Sequence, residues 1–395
     1  MKLYQFLSLA FLTFLIAACD PIVNEPLVGG FGTPGQVRNI RVENLPGAAK
    51  IYYTLPYDRG LSYVQAVYTN SLGERVAVNS SAFKNYLLIE GFGEQREYEV
   101  ELYSISKSDD RSAPVKVKIN PTTPPVQLSW ETLDVMRTFG GVQLKYENMF
   151  EAEFVLYTLV KDEEGNWTEY DRMYTEGGTA NIQHSVRGLA PNPTDFAFYL
   201  RDKWHNNSDT MFTNITPLYE EELDKSLWKD AALMDDGNVP PRYSPLYQLW
   251  TPGATTYFFQ DNRGADWRGL PTWVTIDFGK PYILGRMKSH QVNHSATWQY
   301  GSCSPRLFEI WGSNEATTDW DKWTLLGDFE VVKPSGLPLG TNSADDLALA
   351  TAGHDFEFEL TENSYRYIRY KVKETWGQLN YFCLLELTFW GQAVN

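Results

Sequence analysis

The sequence predicts an all-β protein built from three consecutive β-sandwich modules. Aromatic residues make up 15% of the 395-residue chain and charged residues only 21%, a balance typical of packed β-structure rather than of helical bundles or disordered chains. An internal repeat of about 95 residues, a usual size for a β-sandwich, accounts for two of the modules. The remaining C-terminal part carries ten of the thirteen tryptophans and is expected to form the third.

The first eighteen residues have the pattern of a bacterial lipoprotein signal peptide. Lys2 precedes an apolar run from Leu7 to Ala17, and two alanines stand directly before Cys19, the arrangement that a lipid-accepting cysteine requires. We therefore expect residues 1–18 to be removed and Cys19 to carry a lipid that anchors the chain to a membrane. A transmembrane anchor is the alternative, because the apolar run is close to the length that spans a bilayer. Asp20 and Glu25 follow it instead of Lys or Arg, which disfavours that alternative.

Residues 19–35 form a tether rich in Pro and Gly without hydrophobic periodicity, which would hold the first module away from the membrane. The net charge of −16 excludes nucleic acid as an expected partner, because phosphate binding needs clustered Lys and Arg. It also disfavours highly charged acidic glycans, although one local basic patch would override the total.

Residues 36–121 and 122–218 repeat each other. Corresponding glycines precede corresponding β-rich segments, and each unit ends on a proline; the pairs are Gly47 with Gly141, Gly91 with Gly188, and Pro121 with Pro217. Segments rich in β-branched and aromatic residues, separated by hairpin signals, predict antiparallel strands in both units.

The first unit resembles a fibronectin type III domain. Phe92 is followed six residues later by Tyr98, which resembles the tyrosine corner of that family, and the resemblance implies that the Tyr98 hydroxyl bonds to nearby backbone. The second unit has Phe196 at the related place, which lacks a hydroxyl. It is therefore expected to be an immunoglobulin-like sandwich in the broader sense.

The third unit, residues 219–395, resembles discoidin or coagulation-factor type C domains. Five segments match that family's strand motifs in the right order: Trp273–Pro281, Pro305–Asn314, Trp320–Gly327, Tyr365–Val372 and Leu385–Gly391. The resemblance implies a jelly-roll, galactose-binding-like sandwich, and many domains of this kind bind carbohydrate.

The whole layout resembles surface lipoproteins of Bacteroidota that are encoded with glycan-uptake systems. The resemblance implies a non-catalytic outer-membrane lipoprotein that holds polysaccharide or glycoprotein glycan near an outer-membrane glycan transporter. Whether the protein faces the surface or the periplasm stays open, and so does the identity of the sugar.

Catalytic motifs are nearly absent from the sequence. It contains no metalloprotease, nucleophile-elbow, phosphate-loop or zinc-cysteine pattern, so an enzyme ranks third among the functions. His290 and His294 are four residues apart, a metal-binding spacing only on a helix, whereas the segment reads as a loop. A surface scaffold or adhesin that binds protein partners through the same loops is the second-ranked function.

Glycan binding requires flat aromatic faces beside polar groups that reach hydroxyls. Discoidin-like domains carry such groups on loops at one end, and three loops here provide the candidates Trp298, Trp376, His294, Arg268, Tyr300, Tyr381, Trp267 and Asn380. The tryptophans inside strand motifs are expected to be core instead; they are Trp273, Trp311, Trp323 and Trp390.

No cofactor is expected apart from one structural ion. Many discoidin-like domains hold calcium near an Asp-Gly turn and an acidic residue of the last strand, and Asp236 and Glu386 match these places in type and order. An ordinary turn with a hydrogen-bonded glutamate is the alternative. Cys303 and Cys383 remain after Cys19 is lipidated, and a disulfide between them is compatible with an oxidising compartment but is not established by spacing.

Overall fold

The computed structural model describes residues 32–237, 244–251, 257–260 and 269–394. The predicted signal peptide, Cys19, most of the tether, Trp267 and Arg268 lie outside these ranges. Within the described residues the chain is all-β, which confirms the predicted fold class. None of the helices in these ranges is long and apolar enough to cross a membrane.

The first module is a sandwich of a three-stranded and a four-stranded antiparallel sheet. Its strands are β1 (Arg38–Leu45), β2 (Ala48–Thr54), β3 (Leu61–Thr69), β4 (Arg75–Ser81), β5 (Tyr86–Glu90), β6 (Tyr98–Ser106) and β7 (Val115–Ile119). The sheet orders are β1-β2-β5 and β4-β3-β6-β7. Alternate residues of both sheets, such as Ile51, Val64 and Val100, are fully buried between them, as the period of two in a β-strand requires.

The tyrosine corner expected in this module is confirmed. The Tyr98 hydroxyl donates a hydrogen bond to the backbone carbonyl of Glu94 at 3.2 Å, and its ring packs on Phe92 with centroids 4.5 Å apart. A buried hydroxyl needs such a partner because leaving it without a hydrogen bond costs free energy.

The second module repeats this topology. After helix α1 (Pro125–Trp130) come β8 (Asp134–Thr138), β9 (Gly141–Glu147), β10 (Phe154–Lys161), β11 (Trp167–Thr175), β12 (Asn181–Val186), β13 (Thr194–Asp202) and β14 (Met211–Ile215). The sheet orders are β12-β9-β8 and β11-β10-β13-β14. The internal repeat read from the sequence is therefore a repeat of structure.

The structure shifts the predicted alignment of the two units by one residue. Gly140, rather than Gly141, occupies the place of Gly47, because both adopt positive φ, at +66° and +59°. Phe92 N donates to Gly47 O at 3.1 Å, and Leu189 N donates to Gly140 O at 2.8 Å. Glycine suits both places because other residues rarely adopt this left-handed backbone conformation.

The third module is organised around one long strand. Its strands are β15 (Glu221–Glu222), β16 (Lys229–Asp230), β17 (Phe258–Phe259), β18 (Thr272–His290), β19 (Pro305–Ser313), β20 (Thr324–Glu330), β21 (His354–Glu357), β22 (Tyr365–Thr375), β23 (Cys383–Leu384) and β24 (Glu386–Ala393), with helix α2 (Ala344–Ala352) before β21. The first half of β18 pairs with β22 and the second half with β24. All five sequence motifs contribute to strands of this sheet, as predicted.

Hydrogen bonds and ion pairs join neighbouring modules. Asn206 Nδ2 of the second module donates to Gly91 O of the first at 3.4 Å. Arg187 of the second module lies 3.0 Å from Glu220 and 3.0 Å from Glu357.

Candidate functional site

The loops at one end of the third module are fastened by a disulfide. Cys303 follows the loop after β18, and Cys383 begins β23; the two form a disulfide with Cα atoms 5.3 Å apart. Both cysteines are fully buried. The structure thus decides a pairing that the sequence left open, and an oxidising compartment suits it.

Aromatic side chains gather over this disulfide. We name Tyr257, Phe259, Trp298 and Tyr381 the aromatic loop cluster; they pack against Cys303, Cys383 and Val292. The Tyr257 and Trp298 rings have centroids 5.4 Å apart, and those of Phe259 and Tyr381 are 5.1 Å apart. Such tilted arrangements are favourable for aromatic pairs and restrain the rings.

Local backbone pairing positions the members of the cluster. β17 pairs with β23, which sets Phe259 opposite Cys383. A turn in which Trp298 N donates to Ser295 O at 3.0 Å brings Trp298 back over the disulfide, and Ser304 Oγ donates to Trp298 O at 2.7 Å. The loop geometry also confirms that His290 and His294 do not share a helix.

The cluster presents part of its surface to solvent. Trp298 and Tyr381 are half-buried, while His294 and Asn380 are exposed. The His294 ring lies edge-on to Tyr257, with centroids 5.0 Å apart. An aromatic face beside an imidazole and an amide offers one apolar surface and hydrogen-bonding groups to a polyhydroxylated ligand.

Two predicted site residues do not belong to this surface. Tyr300 is fully buried, and its ring contacts His354 and Trp376 at 5.5 Å each. Burial raises the pKa of the Tyr300 hydroxyl to about 12. The prediction that Tyr300 contacts glycan is therefore wrong, because packing against the core encloses the ring.

Trp376 is half-buried and packs against the main core of the module. The Arg306 guanidinium lies 5.3 Å from its ring centroid, and its indole nitrogen is buried without a hydrogen-bond partner among the described residues. Trp376 thus lies beside Tyr300, and Ser304 connects it to Trp298, since Trp376 N donates to Ser304 O at 2.9 Å. Its role as a second stacking face for glycan stays a prediction.

Asp236 and Glu386 are also kept apart. Asp236 is buried and accepts a hydrogen bond from the Thr275 hydroxyl at 2.6 Å, whereas Glu386 accepts one from Lys225 at 2.6 Å and pairs along the sheet with His290. Thr275 and His290 lie near opposite ends of β18. The two carboxylates therefore cannot share one calcium ion, and each makes a separate polar contact instead.

Within the described ranges no group of three or more His, Cys, Asp or Glu side chains is arranged to hold a metal ion. Residues 238–243, which follow the Asp-Gly turn, lie outside those ranges. Calcium held by Asp236 together with ligands from that segment stays a prediction, and a change of the module's melting temperature on chelation would test it.

Much of the tryptophan excess has a structural explanation. The fully buried Arg369 donates from Nη2 to both carboxylate oxygens of Asp235 at 2.7 Å. Its guanidinium lies 4.5 Å from the Trp320 ring and 4.4 Å from the Trp323 ring. These contacts stabilise a charge that burial alone would destabilise. The tryptophans predicted to be core fall into two groups. Trp323 is buried, while Trp273, Trp311 and Trp390 are half-buried on the outer side of the sheet.

Sequence reasoning missed Tyr257 and Phe259. A signal was present, since an aromatic run Tyr257-Phe258-Phe259 stands in an otherwise polar segment. The run looks like a buried strand, and Phe258 is indeed fully buried. Only the pairing of β17 with β23 shows that its neighbours project into the loop end.

The fold and the site define an all-β protein of three β-sandwich modules whose last module ends in an aromatic, disulfide-fastened loop surface. Family models match each part of the chain, and each is described as a domain of unknown function: DUF4959 over residues 34–121, DUF5126 over 122–226 and DUF5000 over 249–391. No curated protein matches the chain.

Solved structures similar to this chain include a SusE-like protein, with 29% identity over 69% of this chain and 100% of that chain and a TM-score of 0.44. The C-terminal domain of a chitobiase from Bacteroides fragilis has 17% identity over 44% of this chain and 100% of that chain, with a TM-score of 0.31. A two-domain fibronectin type III segment of chicken tenascin has 10% identity over 46% of this chain and 99% of that chain, with a TM-score of 0.22.

Proposed function

We propose that this chain is a non-catalytic lipoprotein of a bacterial cell envelope that binds glycan through the aromatic loop cluster of its third module. The observation that carries the proposal is the half-exposed ring of Trp298, held over the Cys303–Cys383 disulfide in one cluster with Tyr257 and the exposed His294. The exposed Asn380 directly precedes Tyr381 of the same cluster. Sugar rings have apolar C–H faces and polar rims, and this surface offers groups for both.

Rigidity supports the assignment of this surface. Trp298 contacts Tyr257, and the cluster packs on buried side chains and a covalent cross-link. Residues held in place before binding lose little conformational freedom when a ligand arrives, so more of the contact energy appears as affinity. The predicted Trp267 and Arg268 remain candidate contacts from residues outside the described ranges.

The compartment and partners are proposed from the lipoprotein signal, the disulfide and the resemblance of the layout to surface lipoproteins of Bacteroidota. A disulfide and a lipid-accepting Cys19 suit an outer-membrane lipoprotein. In this role the protein would hold polysaccharide or glycoprotein glycan for a neighbouring outer-membrane transporter. A scaffold or adhesin role would instead make the aromatic loop cluster a contact surface for protein.

Replacing Trp298 by alanine is expected to weaken glycan binding by about tenfold to a hundredfold, because one stacked aromatic face is lost. The full mature chain is first screened on immobilised plant, microbial and host glycans, and titration calorimetry with the bound glycan then measures the affinity. His294→Ala, at an exposed position, should also weaken binding without changing the melting temperature.

Tyr247, which is 55% exposed in the same module but outside the cluster, provides the matched control. Tyr247→Ala should bind like the wild type. Equal affinity of wild type, Trp298→Ala and His294→Ala would reject the cluster as the glycan site. Absence of binding to every immobilised glycan, with capture of a protein partner that Trp298→Ala abolishes, would favour the scaffold role.

Cys19→Ala is expected to abolish lipid attachment, because a lipoprotein signal directs the acyl groups to the cysteine that follows the two small residues. Metabolic labelling with an alkyne fatty acid should mark the wild type and not the variant. Cys303→Ala should keep its label, since that cysteine is buried in a disulfide. Labelling that persists in Cys19→Ala would overturn the lipid assignment.

A further inference from the structure

The outer face of the four-stranded sheet in the second module carries a second group of aromatic side chains. We name this group the aromatic sheet face; its members are Tyr157, Trp167, Arg172, Tyr174, Tyr199, Arg201 and Phe212. Strand register places them together, since Tyr157 lies opposite both Arg172 and Tyr199, and Val155 lies opposite both Tyr174 and Arg201. Phe212 stands on the neighbouring edge strand, opposite Ala197.

The outer members of this face are exposed, whereas Tyr157 at its centre is buried, with only 8% of its surface exposed. Tyr174 is 67% exposed, Phe212 64% and Trp167 38%. The hydrophobic core of the module lies on the other side of the same sheet, where Leu156, Phe196 and Phe198 are buried. A contiguous exposed aromatic surface on one sheet marks an interaction site more often than scattered apolar residues do.

Ring contacts hold the central part of the face flat. The Tyr157 and Tyr199 rings are stacked with centroids 4.7 Å apart and planes inclined by 6°. The guanidinium groups of Arg172 and Arg201 each lie 5.0 Å from the Tyr157 centroid. Trp167 and Phe212 form a second pair with centroids 5.4 Å apart, so aromatic surface extends over all four strands.

Arg172 and Lys161 on this face already have acidic partners, and Arg201 is held by a neutral amide. Arg172 Nη2 lies 2.7 Å from Glu169 Oε2, and Lys161 Nζ lies 3.9 Å from Asp195 Oδ2. Arg201 Nε donates to Asn207 Oδ1 at 2.8 Å. A charged ligand would have to compete with these contacts, whereas an uncharged polyol can stack on the rings and bond to the polar rims without breaking an ion pair.

We propose that the aromatic sheet face is a second glycan-binding surface, which takes a segment of neutral polysaccharide along the strands of the second module. This second surface is separate from the proposed site of the third module and consists of different residues. Tyr199 and Asp195 are four residues apart on β13, which is about 13 Å along the strand, and Trp167 lies at the level of Asp195. These two levels are far enough apart to contact successive parts of one extended polysaccharide chain. Two surfaces on one tethered protein would increase retention on a long polysaccharide through effective concentration.

The test is native affinity electrophoresis of the full mature chain. The gels contain soluble starch, mixed-linkage β-glucan, galactomannan or xyloglucan as neutral probes, and polygalacturonate or heparin as acidic probes. The Trp298→Ala variant serves as the starting protein, because it weakens the proposed site of the third module. A neutral polysaccharide is expected to retard it, and adding Trp167→Ala together with Phe212→Ala should weaken that retardation by at least about tenfold.

Phe83→Ala, at a 98% exposed aromatic position of the first module, is the control and should migrate like its parent. Tyr174→Ser provides a second variant whose exposed position keeps the fold intact, so reduced retardation in it separates a lost contact from unfolding. Unchanged retardation in both sets of variants would overturn the proposal. Retardation by acidic gels alone, or by none of the probes, would also overturn it. If Trp298→Ala has no effect while the Trp167 and Phe212 variant does, the site of the third module fails and this one stands.

Discussion

Removing the Cys303–Cys383 disulfide by replacing both cysteines with alanine is expected to lower the free energy of unfolding of the third module by about 4 kcal/mol. The cross-link joins residues 80 positions apart, and closing a loop of that length restricts the unfolded chain by an amount of this order. The aromatic loop cluster packs directly on the two cysteines. We therefore expect glycan affinity to fall as well, because the loops lose their fixed geometry.

Chemical denaturation followed by tryptophan fluorescence measures this change. Ten of the thirteen tryptophans lie in the third module, so the fluorescence signal reports mainly on that module. The wild type in a reducing agent should approach the stability of the double variant, and the variant should not respond to the reductant. Equal midpoints for the oxidised wild type and the variant would show that the bond does not stabilise the module.

In the presence of a calcium chelator, replacing Asp236 by asparagine is expected to stabilise the third module at pH 8 and to leave its stability at pH 4 nearly unchanged. Burial raises the pKa of the Asp236 carboxyl from 3.8 to about 7. The folded state therefore keeps a proton that the unfolded chain releases as the pH rises above about 4. Stability consequently falls between pH 4 and pH 7, and the difference between the two pKa values corresponds to about 4 kcal/mol.

Asparagine resembles the protonated carboxyl in shape and charge, so its oxygen can still accept a hydrogen bond from Thr275. The difference in unfolding free energy between variant and wild type, measured by denaturant titration at intervals from pH 4 to pH 8, isolates this one group. It should grow with pH and level off above pH 7. A difference that does not change with pH, or a variant less stable at pH 8, would contradict the assignment.

Local patterns predicted the strands because the side chains of a strand alternate between its two faces, and this alternation is visible in the sequence. The segments around Trp273, Phe308 and Tyr367 alternate between the two faces of the sheet, and each forms a strand in the predicted order. The tyrosine corner was equally readable, since Tyr98 reaches backbone only four residues away. Interactions this local depend on neighbours that the sequence itself fixes.

The site was predicted only in part, because exposure in a loop depends on distant residues. Trp298 and Tyr381 do share a surface, but Tyr300, two residues after Trp298, is fully buried against His354 and Trp376. A tryptophan between polar residues and glycine looks exposed, yet Trp376 is half-buried because Tyr300 and Arg306 pack against its ring. Tyr257 and Phe259 were missed for the converse reason, because their segment looks like a buried strand although both side chains project into the loop end of the module.

The sequence by itself determined the all-β class, the internal repeat and the strands that carry the five motifs of the third module, because these features depend on periodicity and short-range hydrogen bonds. Only the tertiary structure decided that Cys303 pairs with Cys383, that Asp236 and Glu386 lie near opposite ends of β18, and that Trp167 and Phe212 share one exposed face. Each of these facts rests on strand register or on packing between residues far apart in the chain. Register and packing are set by the whole fold, so no single segment records them.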